Sequence, residues 1–71
     1  MMPELLPYIE GFAHTGQWDK AVYFTKLADD KWGAMQPDLC STWNIIVAAL
    51  PASSEKTNSK GQIEQELHCG L

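Results

Sequence analysis

Two histidines, two cysteines and nine carboxylates are the side chains with which this chain of 71 residues could hold a metal or move a proton. Their spacing argues against both. A tetrahedral zinc site draws four ligands, usually from pairs a few residues apart. Cys40 and Cys69 stand far apart, and His68-Cys69 is an adjacent pair whose side chains diverge on a helix. His14 has no serine or cysteine nucleophile with an orienting acid nearby, as nucleophilic catalysis requires. At a helix end it meets carbonyls and the dipole instead. Asp29-Asp30 lack the alternating oxygen ligands and glycine of a calcium loop. Gly11, Gly16 and Gly33 make no phosphate-cradling pattern. The sequence therefore assigns no catalytic residue, no metal and no cofactor. Two cysteines also make no dense disulfide framework, so both are read as small, half-buried apolar residues.

The charge balance restricts partners. The basic side chains are five lysines with no arginine, and the net charge is −4. Affinity for nucleic acid rests on cations neutralising phosphates, and base readout leans on arginine. An acidic chain without arginine is poorly suited to bind RNA or DNA alone, or to sit on an anionic membrane surface. The longest apolar run, 45–50, is far short of the ~20 residues that span a bilayer. Met1-Met2-Pro3-Glu4 has neither the basic start of a secretory signal nor the composition of a transit peptide.

The elements that would position these residues are helices. Leu5, Ile9 and Phe12 follow helical spacing, which predicts a first helix over about 3–14, with the Pro3 ring in its first turn. Thr15-Gly16 is a turn. A second helix is expected over 17–30, with Trp18, Ala21, Val22, Thr25 and Ala28 on one face. Asp19, Lys20, Lys26, Asp29 and Asp30 form its solvated side. Gly33 and Pro37 make 31–38 a connection, after which Asp38 or Ser41 caps a third helix over about 42–50. Nothing in 53–61 is apolar, so 51–61 reads as a polar, flexible loop. A short C-terminal helix follows within 62–71, starting at Gln62 and carrying Ile63 and Leu67.

Gly16-Gln17-Trp18-Asp19 is echoed at Gly61-Gln62-Ile63-Glu64, each copy preceded by an apolar helical stretch. A repeated order of helix, turn and Gly-Gln-started helix is the pattern of a helical-hairpin repeat, which buries its apolar face only by stacking or docking. Tyr23, Phe24 and Leu27 widen the apolar surface of the second helix. Together with Trp18, Trp32 and Trp43 they are the candidate protein-interface residues.

The span 6–50 resembles the pentatricopeptide repeat family. Ile9-Glu10-Gly11-Phe12-Ala13-His14-Thr15-Gly16-Gln17-Trp18-Asp19-Lys20-Ala21-Val22 is similar to the family's stretch from the middle of the first helix into the second. Met35-Gln36-Pro37-Asp38-Leu39 is similar to its junction between repeats, and Thr42-Trp43-Asn44-Ile45-Ile46 to the start of the next. Tetratricopeptide repeats share the hairpin and several of these positions. The resemblance implies one hairpin repeat plus the start of a second over 1–50. It also implies residence in a mitochondrion or plastid, and RNA-contact positions at Asp38 and Asn44. The position matching Asn44 in the first unit is Leu6, which cannot hydrogen-bond a base. The polar loop replaces the family's tight turn.

The sequence thus points to an all-α protein of three to four short helices in a hairpin arrangement. Its expected role is a non-catalytic protein–protein interaction module, a small accessory or structural subunit of a larger, organellar complex. The alternative is an RNA-binding fragment of a longer pentatricopeptide repeat protein. The physical warrant is an apolar surface larger than so few residues bury among themselves.

Overall fold

The computed structural model describes residues 5–71, so the expected helix start at Pro3 lies outside the described residues. The first helix, α1, covers Leu5–His14 and buries Ile9 and Ala13 one turn apart. It stops where Gly16 takes a φ of 79°, open to glycine without a side-chain clash. The Gln17 N–H then reaches the Phe12 carbonyl at 2.7 Å and the Gly16 N–H reaches Ala13 at 3.1 Å. That pair of bonds closes the helix end and turns the chain back.

Helix α2, Trp18–Lys31, buries Ala21, Val22, Thr25 and Ala28 along one stripe. A short 3-10 turn over Gly33–Met35 leads into α3, Gln36–Ala49, which buries Leu39, Thr42, Trp43 and Ile46. This helix starts six residues before the expected position. Pro37 does not break it, because it occupies the first turn, where a missing N–H costs nothing. Neither Asp38 nor Ser41 is its cap; the residue before the helix is Met35, with no side-chain cap bond.

The expected loop over 51–61 is the largest correction. Helix α4 runs Ser54–Leu67, so the connection is only 50–53. Ser53 is its cap: its hydroxyl accepts the Lys56 N–H at 3.0 Å. The Lys56 ammonium donates back to the Leu50 carbonyl at 2.8 Å, satisfying the end of α3. Apolar spacing conceals this helix, because its buried stripe is Ser59, Ile63 and Leu67, with only two apolar members. Gly61 lies inside α4 and begins nothing, so the second half of the Gly-Gln echo does not mark a helix start.

The protein is all-α, with four α-helices and, among the described residues, no strand. Helix α1 packs on α2 and α3, and α4 packs on α2 and α3. The C-terminal end of α1, the start of α2, the end of α3 and the Ser53 cap of α4 all border one hollow. Chain direction therefore alternates, and α2 and α4 run parallel. The core between them holds Ile9, Val22, Leu39, Trp43, Ile46, Ile63 and Leu67. It covers most of the apolar surface, contrary to the expected excess: the large hydrophobic side chains left exposed among the described residues are Tyr8, Tyr23 and Ile45.

A second correction concerns sulfur. Cys40 and Cys69 form a disulfide across 29 residues, with their Cα atoms 5.3 Å apart. Antiparallel α3 and α4 bring the start of one beside the end of the other, a proximity that sequence separation hides. The same corner is fastened twice more. The Gln36 side-chain amide donates to the Leu67 carbonyl. The Glu64 carboxylate accepts the N–H groups of Gly70 at 2.8 Å and Leu71 at 2.9 Å.

Candidate functional site

Parallel α2 and α4 leave an open groove of about 500 Å³ along their seam. From α2 it is lined by Trp18, Asp19, Val22, Tyr23 and Lys26, and from α4 by Glu55, Asn58, Ser59 and Gln62. Helical periodicity places these residues: 19, 22, 23 and 26 fall on one side of α2, and 55, 58, 59 and 62 on one side of α4. The floor is apolar, formed by Val22 and the half-buried Trp18. Tyr23 is 59 % exposed and stands on the rim. Its ring meets Phe24 edge-on, with centroids 5.0 Å apart, so neighbouring atoms hold it in place.

The charges of the groove are arranged by helix polarity. Asp19 and Glu55 both lie in first turns, where the helix dipole favours a carboxylate. Because α2 and α4 are parallel, the two acids share one end. Lys26, two turns along α2, stands toward the other. Among the described residues the contact of a basic with an acidic side chain within 4.0 Å joins the His14 imidazole and the Glu10 carboxylate. Asp19, Lys26 and Glu55 therefore face the groove without a counter-charge among the described residues.

No family model, curated protein or solved structure matches the chain.

The sequence-derived interface residues divide into three groups. Trp18 and Tyr23 line the groove. Phe24, Leu27 and Trp32 are half-buried. Phe24 stacks on Phe12 with centroids 5.5 Å apart, joining α2 to α1, and Trp32 packs on the core at the end of α2. Trp43 does not belong to an interface, because it is fully buried at 0 % exposure. Its indole N–H donates to the Thr25 hydroxyl at 2.8 Å, and that hydroxyl donates to the Ala21 carbonyl at 2.7 Å. Trp18 covers it from the groove side, with ring centroids 6.2 Å apart.

The RNA-contact candidates Asp38 and Asn44 are exposed, and both lie on α3. Six residues separate them, a turn of roughly 120° about the helix axis, so they do not share a face. The Asn44 amide donates to the Cys40 carbonyl at 3.1 Å, within its own helix. Among the described residues no group of three or more His, Cys, Asp or Glu side chains is placed to hold a metal ion. No described helix is long and apolar enough to cross a membrane.

Sequence reasoning missed Glu55, Asn58 and Gln62 as groove residues, because they fell in the expected loop and just past it. It placed Asp19 and Lys26 on a solvated face. The signal that would have found the second wall was Ser53 followed by Glu55, with small or apolar residues at 59, 63 and 67.

Proposed function

We propose that this chain is a non-catalytic protein–protein interaction module, a small accessory or structural subunit of a larger assembly. The observation that supports the reading is the α2–α4 groove, with its apolar floor, exposed tyrosine and charges without a counter-charge among the described residues. Exposed aromatic side chains beside desolvated apolar atoms are what protein interfaces enrich. Charges aimed into a groove supply orientation and selectivity rather than bulk affinity.

The resemblance to helical-repeat proteins adds an organellar home to this proposal. A disulfide persists in an oxidising compartment, so the organellar space in question is one that sustains disulfides.

A photo-crosslinking amino acid in place of Tyr23, introduced into the chain in its native cell, tests the reading. The expected product is a discrete adduct within a native complex much larger than two 7.9 kDa chains. A chain that migrates only as monomer or dimer, with no adduct to another protein, overturns it.

A further inference from the structure

The groove carries its charges in a definite order, and α2 carries the complementary order. Asp19 and Lys26 are seven residues apart, about 10.5 Å along a helix. Val22 and Tyr23 lie midway between them, on the same lining. A helix seated in the groove antiparallel to α2 and α4 continues the alternation of the bundle. Its last turns, where helices favour cations, then lie over the acidic end formed by Asp19 and Glu55. The sequence such a helix needs is an acid, an apolar pair three and four residues on, and a base at the seventh. Asp19, Val22-Tyr23 and Lys26 are that sequence.

We propose that the occupant is α2 of a second copy of this chain. The two α2 helices cross antiparallel at a two-fold axis, each lying over the other's groove. Lys26 of each copy meets Asp19 and Glu55 of the other. The two Tyr23 rings meet at the axis, midway between the charge pairs. The contact is isologous and closes on itself, so it ends at a dimer. It rests on the reading of the groove as an interaction surface and names the partner. A standard interface covers ~800 Å² per partner, about a fifth of the 4205 Å² this chain exposes. The contact is held by exposed charge pairs, which makes the dimer salt-sensitive.

Sedimentation equilibrium of the full oxidised chain across the micromolar range is the test, with circular dichroism confirming that each variant folds. The wild-type chain is expected to shift from 7.9 kDa to twice that mass. Asp19→Lys and Lys26→Asp each set like charges against each other, and each weakens the dimer tenfold or more. An equimolar mixture of these two variants restores dimer in part, because opposite charges then meet at both 19–26 contacts while one Glu55 faces the introduced carboxylate. Tyr23→Ala, at an exposed position, lowers the association constant about tenfold while leaving the helical signal intact. The proposal is overturned if the wild-type chain stays at 7.9 kDa throughout. It is equally overturned if folded single variants dimerise like wild type, or if their mixture stays monomeric. A monomer that still enters a larger native complex through Tyr23 removes the dimer and leaves the interaction module standing. A dimer with no larger complex does the reverse.

Discussion

Two regions of the molecule treat their polar groups in opposite ways. At the corner where α3 starts and α4 ends, polar groups and sulfur are joined within the chain: Cys40 to Cys69, Gln36 to Leu67, Glu64 to Gly70 and Leu71. Along the α2–α4 groove, Asp19 and Lys26 have no such partner among the described residues, Glu55 takes a 3.5 Å hydrogen bond from the adjacent Ser54 hydroxyl, and Tyr23 stands in solvent. Both regions are built on α4, so the difference does not come from one element being better formed than another. It separates closure from contact. Fastening the corner fixes where α4 lies, which frees its opposite face to stay open without loss of the fold.

The comparison is broken first through the core that both regions share. Trp43→Ala removes a fully buried ring and leaves the Thr25 hydroxyl without its donor. The expected cost is about 3–5 kcal/mol, a large share of the stability of any small domain. Urea denaturation followed by circular dichroism measures it. A variant that keeps near wild-type stability would show that Trp43 is not the centre of the core.

Removing the disulfide comes next. Closing 29 residues constrains the unfolded chain by roughly 3.5 kcal/mol on the chain-entropy account. The Cys40→Ser/Cys69→Ser double variant is therefore expected to lose about that much in urea, with amide exchange at Gly70 and Leu71 rising most. Unchanged exchange there would mean that the Glu64 and Gln36 contacts hold the corner alone.

Ser53→Ala acts on α4 at its other end. Losing the hydroxyl that accepts the Lys56 N–H is expected to cost ~1 kcal/mol. The fraying belongs in the first turn, beside Glu55, and exchange at Lys56 and Thr57 reports it. Protection unchanged at both would show that the cap is dispensable.

Tyr23→Ala has the smallest expected effect on stability, within ~0.5 kcal/mol, because the side chain is 59 % exposed. A thermal melt of the reduced-concentration monomer checks it. A loss comparable to that of Trp43→Ala would make Tyr23 part of the core and dissolve the contrast between the two regions.

The sequence made some of this legible and hid the rest for physical reasons. Helices α1 and α2 were visible, since Ile9–Ala13 and Ala21–Val22–Thr25–Ala28 repeat at helical spacing with Gly16 between them. The all-α class followed from those and from the apolar run 45–50. The second half of helix α4 was visible as the short helix expected within 62–71, but its first half was not, because two apolar residues suffice for a helix that packs against two others through a narrow stripe. Its polar face looked like a loop for want of a core-facing pattern. Pro37 misled because a proline in a first turn and a proline that breaks a helix are the same letter. The disulfide was hidden in tertiary proximity. Of the groove, Trp18 and Tyr23 were named from sequence while its α4 wall was not, and Trp43 was named for an interface when its indole N–H had a partner in the core.

The Trp43–Thr25 hydrogen bond has a mechanical consequence. It joins α3 to α2, and so crosses from one helical hairpin to the other. Sliding the hairpins past each other by one turn, about 5.4 Å, strands the indole N–H in an apolar interior, while the hydroxyl keeps its bond to the Ala21 carbonyl. Intermediate displacements are no better, since a hydrogen bond weakens steeply with misalignment. The bond thus acts as a key in a shaft, permitting one axial setting. The spacing of α2 from α4 inherits that setting, and whatever seats between them meets a slot of fixed gauge rather than one that adjusts to its guest.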